Sequence, residues 1–307
     1  MRERPILVVG IAQRSGTNFL ADLLRCHPAT SMARDPYRED FAFPRGDALG
    51  AWADGVADRL PARWGDAEWV RRDLRRALGE AVVRFLAATG DGAGRPVVKT
   101  PFAEALDTIT ALQAELDVVV VVRDAPAVIA SMEAGFGAPL EWAAHTWRDG
   151  ARRVLAWRDA ISGTTRTALI VRYEDLKADR RGTLTPVLEH LRLDVGAMDW
   201  AAAEALPVRG SSYAPGGLDW SGQTGGEAPT GTRMGVSNPR RAAAITGAER
   251  AALGYAAPEQ RRTTDTVLEW VWPARRAATQ ARRAISRVLL GTARPAIRAG
   301  KTRRSIR

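Results

Sequence analysis

Ile6 to Val9 is a run of four apolar residues, three of them β-branched, and reads as a buried strand. Gly10 to Gly16 predicts a tight loop after it, and Thr17 onward a helix with Phe19, Leu20, Leu23 and Leu24 on one face. Pro28 ends that helix, because the residue before a proline is pushed out of the α region. Ser31 to Pro44 mixes charged and aromatic side chains without a period and reads as a loop. Apolar residues at helical spacing predict an amphipathic helix over Asp66 to Ala88, with arginines on its outer face. Pro96 to Pro101 reads as a short strand that delivers Lys99 and Thr100, followed by a helix over Ala103 to Leu116. Val118 to Val122 is five valines in succession, a pattern suited to a strand buried on both faces of a parallel sheet. It leads into Arg123-Asp124 and a helix bearing Val128, Ile129 and Met132. A helix over Leu140 to Ile161, a strand over Thr167 to Val171 and a helix over Thr183 to Leu193 complete the series.

Strands alternating with helices predict an α/β fold, a parallel sheet flanked by helices, in which ligands sit beyond the carboxyl ends of the strands. Four segments fall there: the Gly10–Thr17 loop, Lys99-Thr100, Arg123 and Tyr173. Gly210 to Asn238 is rich in Gly, Ser, Thr and Pro and reads as a flap over the site. Helical character returns at Pro239, and Glu259 to Trp272 reads as the last helix of the body. The expected organisation is one domain over residues 1–272 and a tail over 273–307.

Charge sharpens that division. The 307-residue chain carries a formal +10, but eleven of its 45 Lys/Arg and none of its 35 Asp/Glu lie in 273–307. Residues 1–272 are left with 34 basic and 35 acidic side chains, so a nucleic-acid groove in the body is not implied. Along the tail, Ala281, Ile285, Val288 and Leu289 share one helical face, with Arg276, Arg283 and Arg287 elsewhere on the helix. Such a segment suits either solvent or the surface of a membrane or acidic partner. The lone Cys26 forms no internal disulfide and three scattered His give no metal-ligand spacing. No apolar run reaches the ~20 residues of a membrane span, and no secretory cleavage site follows Ala12. A cytoplasmic protein is expected, with peripheral membrane contact through the tail left open.

Strand, glycine loop and helix make an anion cradle, since N–H groups at a helix start lack partners of their own and the helix dipole adds to them. Arg14, Ser15 and Thr17 place side-chain donors there. The triphosphate pattern G-x-x-x-x-G-K-[ST] does not fit: Gly10 and Gly16 are one residue too far apart, and Thr17 stands where the lysine belongs. A kinase-like phosphotransferase is thus the lesser alternative. The other is a non-catalytic, membrane-associated nucleotide-binding protein on the same fold.

The chain resembles the sulfotransferases that use 3′-phosphoadenosine 5′-phosphosulfate (PAPS), in their bacterial and protein-tyrosine branches. Arg14-Ser15-Gly16-Thr17-Asn18-Phe19 fits their first signature, and Arg123-Asp124 with Ser131 fits the second, although Ala125-Pro126 shifts the usual proline by one. Tyr173-Glu174-Asp175-Leu176 and Lys99-Thr100-Pro101 match two further motifs, in family order over roughly residues 6–180. The resemblance implies a P-loop NTPase-like sulfotransferase fold and PAPS as co-substrate without a metal. It also implies in-line transfer of a sulfuryl group to a hydroxyl of a small-molecule, carbohydrate or glycolipid acceptor. By the same resemblance Arg14 stabilises the departing 5′-phosphate, Ser15, Gly16, Thr17 and Asn18 complete the cradle, and Phe19 stacks on adenine. Arg123 and Ser131 hold the 3′-phosphate, and Tyr173 lies at the nucleotide site. The histidine base of the cytosolic enzymes is replaced by Pro101. Counting from His27-Pro28 puts Asp35 at the base position of the tyrosine-sulfating branch, with Glu39, Asp40 and His145 as rivals. Lys99 assists by contacting the sulfuryl group.

Overall fold

A computed structural model describes residues 4–34, 37, 39–91, 94–162, 168–207 and 236–256, all within the compact unit Met1–Glu259. Five strands, β1 (Ile6–Gly10), β2 (Thr30–Met32), β3 (Arg95–Thr100), β4 (Asp117–Val122) and β5 (Leu169–Arg172), form one sheet in the order β2-β3-β1-β4-β5. Every neighbouring pair is parallel. Successive side chains of β1 and β4 enter opposite cores, as the two-residue period requires. Leu7, Val9, Val118, Val120 and Val122 pack on one side, and Ile6, Val8, Val119 and Val121 on the other.

On the second side lie α1 (Thr17–Leu24) and α8 (Arg180–His190), contributing Leu20, Leu23, Leu24 and Leu188. On the first lie α4 (Glu104–Ala111), α5 (Ala125–Phe136), α6 (Leu140–Ile161) and α10 (Pro239–Ala252), with Ile109, Ile129, Trp147 and Ile245. Helices α2 (Asp47–Ala57) and α3 (Glu68–Ala88) occupy the β2–β3 connection, while α7 (Tyr173–Ala178) and α9 (Trp200–Ala205) are one short stretch each.

The register brings the expected segments to one edge. Val8 is opposite Lys99, Val9 opposite Thr100, Gly10 opposite Val121 and Val122 opposite Arg172. The carboxyl ends of β1, β3, β4 and β5 therefore stand side by side.

Several expectations are corrected. The Ser31–Pro44 stretch read as loop begins inside edge strand β2, and α2 was not foreseen. The helix expected to reach Leu116 ends at Ala111, where Gln113 takes a φ of 50° and turns the chain into β4. The helix expected from Thr183 starts at Arg180, because the Asp179 carboxylate caps it by accepting from the Gly182 N–H at 2.8 Å. Strand β5 runs to Arg172, one residue past the expected end, and Tyr173 directly after it opens α7. Most of the expected flap, all of the Glu259–Trp272 helix and the 273–307 tail lie outside the described residues, as does the boundary at 272. No described helix is long and apolar enough to cross a membrane.

Candidate active site

The β1–α1 loop is held from within. Ser15 is buried; its hydroxyl donates to the Ala12 carbonyl at 2.6 Å and accepts from the Ala12 N–H at 3.1 Å. The serine hydroxyl expected to face an anion is thus spent on closing the loop, and only its N–H is left for a ligand. The N–H groups of Gln13, Ser15, Gly16, Thr17 and Asn18 have no acceptor among the described residues. Helix α1 has Gly16 as its N-cap, with no side-chain cap and no acidic residue in its first turn. An uncapped helix start beside a run of unpaired N–H groups is the chemistry of an anion site.

Two residues of the loop have left-handed backbone: Gly16 at φ 98° and Arg14 at φ 73°. At Gly16 only glycine fits, since a Cβ would lie 2.3 Å from the Tyr173 ring. For Arg14 the conformation is a strain of order 1 kcal/mol, of the kind that functional loops retain. It aims the residue both ways: the Arg14 carbonyl accepts from Arg123 Nη1 at 3.0 Å, and Arg14 Nε donates to Ser131 Oγ at 3.0 Å. The Arg14 guanidinium lies over the Phe136 ring at 5.1 Å. The first and second signatures, more than a hundred residues apart in the chain, are in direct contact.

Arg123 is pinned on three sides. Its guanidinium lies 4.6 Å from the Tyr173 ring centroid, it donates to the Arg14 carbonyl, and its own carbonyl accepts from Trp147 Nε1 at 2.8 Å. Tyr173 is a buried packing residue under the loop, its phenol pushed above its ordinary pKa by burial, with Arg123 opposing. Phe19 lies elsewhere than expected. It is 1% exposed, edge-on to Tyr173 at 6.1 Å with Arg180 over it at 5.3 Å, so the helical periodicity that put it in the core prevails over adenine stacking. Thr17 is buried and Asn18 half-buried at the start of α1.

Next to this loop, Pro101 closes on β1: a Cβ on Gly10 would lie 3.2 Å from Pro101 Cα. Lys99 Nζ pairs with Glu39 Oε2 at 3.1 Å, and the Glu39 backbone bridges to Lys99 in parallel. Asp40 points inward, fully buried. It accepts from the Tyr37 hydroxyl at 2.6 Å and from the N–H groups of Ala42 and Phe43. Burial raises its carboxyl pKa against those three donors. Three committed donors make Asp40 a brace of its loop rather than a free base. Asp35 lies outside the described residues, and His145 is buried on α6.

Sequence reasoning missed the support around this edge. Gly150 of α6 presses against the loop so closely that a Cβ would lie 1.8 Å from the Ile11 carbonyl oxygen. Arg250 of α10 forks onto the Asp124 carboxylate at 2.6 and 2.9 Å. The Asp124 N–H donates to Glu174 at 3.0 Å, and Glu174 accepts from the Tyr255 hydroxyl at 3.0 Å. Only the Arg123-Asp124 and Tyr-Glu-Asp-Leu segments of that chain had a sequence signal.

A sequence model of the Sulfotransferase family matches residues 5–196, more than half of the chain, and the chain belongs to that family. Among solved structures it is similar to the sulfotransferase domain from the curacin biosynthetic pathway, with a TM-score of 0.51 at 16% identity over 84% of this chain and 100% of that one. It is similar also to the sulfotransferase domain from the Synechococcus PCC 7002 olefin synthase (TM-score 0.47, 20% identity, 87% and 93% of the two chains). A third is a sulfotransferase from Mycobacterium tuberculosis H37Rv (0.41, 22%, 67% and 72%). No curated protein sequence matches the chain. The fold is the P-loop NTPase-like sulfotransferase fold, a parallel five-stranded sheet flanked by helices.

Proposed function

We propose that the carboxyl edge of the sheet binds PAPS and passes its sulfuryl group to an acceptor hydroxyl. The observation that carries this is the junction of Arg14 with Ser131 and Arg123, which joins the uncapped helix start of α1 to a second cationic position on β4–α5. A donor with phosphate at both 5′ and 3′ needs two such positions; ADP or ATP needs one.

In this assignment the N–H groups of Gln13 and Ser15 to Asn18 hold the 5′-phosphosulfate with Arg14, and Arg123 with Ser131 holds the 3′-phosphate. The acceptor oxygen attacks sulfur in line as the sulfur–oxygen bond to the 5′-phosphate breaks. The work of the site is positioning and stabilising the charge that grows on the departing phosphate. Arg14 keeps its proton at any working pH, so it contributes charge and hydrogen bonds and not acid catalysis. Lys99, on the adjacent strand, supplies a second cation for the sulfuryl oxygens. The acceptor proton goes to a carboxylate of the segment after β2, which holds both Asp35 and Glu39.

The test is transfer of ³⁵S-labelled sulfate from PAPS to a mixed panel of alcohols. Labelled sulfate ester is the expected product. Phosphate transfer from ATP in its place would overturn the assignment.

A further inference from the structure

Segment 39–42 runs beside the end of β3: Glu39 bridges Lys99, and the Asp40 N–H donates to the Lys99 carbonyl at 2.7 Å. In an extended segment alternate residues share a face. Asp40 is turned inward, so Glu39 and Phe41 share the outward face. The contacts agree: Glu39 reaches Lys99, and the Phe41 ring lies 6.0 Å from the Phe102 ring. Phe41 is 49% exposed, and its N–H is anchored on the Tyr37 hydroxyl at 3.3 Å. Behind it Tyr37 stacks edge-on against Phe85 at 4.9 Å. The result is a carboxylate–ammonium pair with an open aromatic face beside it. Both lie at the carboxyl end of β3, which pairs with β1, the strand that leads into the anion loop.

An exposed aromatic face next to a proton-accepting group suits an acceptor, since apolar surface gives affinity and the polar pair fixes where the hydroxyl lies. We propose that Glu39 takes the proton of the acceptor hydroxyl, and that the Phe41–Phe102 face holds the acceptor's body. The acceptor is then an alcohol carried on an apolar group, not a polyhydroxylated sugar. This rests on the PAPS assignment above. As the acceptor oxygen forms its bond to sulfur, its proton passes to the Glu39 carboxylate. The electron pair of the breaking bond leaves with the 5′-phosphate as 3′-phosphoadenosine 5′-phosphate (PAP). A sugar presents several hydroxyls to the same face, and those left unbonded against two rings oppose binding.

The experiment uses the full chain with PAPS and three acceptors: 2-naphthol, 1-octanol and N-acetylglucosamine. The aryl or the alkyl alcohol is expected to exceed the sugar by about tenfold or more in kcat/KM, and which of the two leads tells the shape of the apolar body. Phe41→Ala is expected to raise KM for the preferred alcohol about tenfold, with kcat and PAP affinity within about twofold of wild type. Glu39→Gln is expected to lower kcat about a hundredfold and to remove the acid limb of the pH profile, again with PAP affinity retained. Asp35→Asn keeps that limb. A preference for the sugar, an unchanged KM in Phe41→Ala, or an intact acid limb in Glu39→Gln overturns the inference, as does the refusal of all three acceptors by a chain that binds PAP. Failure of the wild-type chain to bind PAP overturns the PAPS assignment itself.

Discussion

The two edges of the sheet differ in how their polar groups are satisfied. At the amino edge, Arg95 is buried and donates Nε to the Arg4 carbonyl at 2.9 Å, pairs with Asp117 and reaches the Leu191 carbonyl. Arg192 adds a second guanidinium to Asp117 at 3.0 Å. Each of these charges has a partner, and together they tie the starts of β3 and β4 to their neighbours. At the carboxyl edge the N–H groups of Gln13 and of Ser15 to Asn18 have no acceptor among the described residues, with Arg123 pinned nearby. Between the edges lie the fully buried Ile6, Leu7, Val8 and Val9 of β1 and Val119 to Val122 of β4. The same strands thus place the polar groups that stabilise the fold at one end and those that bind at the other, and substitutions at the two ends should separate stability from activity.

The largest separation is expected at Arg14. Arg14→Ala keeps the left-handed strain, because alanine dislikes that conformation as arginine does. It is expected to lower transfer by about 10²–10³, the loss typical of a removed charge-stabilising donor, while the unfolding free energy falls by only about 1–1.5 kcal/mol for the lost bond to Ser131 and contact with Phe136. Rate measurement alongside denaturant titration checks both. The converse is Arg95→Ala. Breaking a buried pair costs about 3–5 kcal/mol, here toward the lower end because Arg192 remains on Asp117. The titration should show that loss while PAP affinity of the folded protein is unchanged.

Gly150→Ala should join the two readouts. Its Cβ, 1.8 Å from the Ile11 carbonyl oxygen, has to push α6 off the loop. An overpacking cost of about 1–3 kcal/mol is expected together with weaker PAP binding. Retained PAP affinity would show that α6 does not brace the loop.

The smallest effect is at His190, the last residue of α8, near Asp117. Burial holds its imidazole pKa below the ordinary 6.5, so the unfolded chain takes up the proton first. Stability contributed by His190 is therefore present above pH 6.5 and falls as the pH drops below it. His190→Gln should flatten that part of a stability–pH curve and leave PAP affinity unmoved.

Much of the site edge was legible because it is written locally. Uninterrupted apolar runs named β1 and β4, and Arg14-Ser15-Gly16-Thr17 named the loop between a strand and a helix. Edge strand β2 was not legible: three residues, Thr30 to Met32, are too few to show a period. The small residues of Asp47–Ala57 gave α2 no distinct apolar stripe. Phe19 carried two incompatible signals, a core period and a family role, and packing decided for the core. The braces were out of reach for another reason. Gly150 against Ile11, Arg250 on Asp124 and Tyr255 on Glu174 are contacts between residues far apart in sequence, and a single glycine or arginine in a helix announces no partner.

On the PAPS assignment the carboxyl edge holds two phosphate positions, one at the start of α1 and one at Arg123 and Ser131. Calorimetric titration of the full chain with PAP and with ADP, with and without Mg²⁺, tests it most directly. PAP is expected to bind about a hundredfold or more tightly than ADP without need of Mg²⁺, and Arg123→Ala to remove most of that preference through loss of charge-assisted bonds. Equal affinity for PAP and ADP, or tight binding of ATP only with Mg²⁺, would contradict the account.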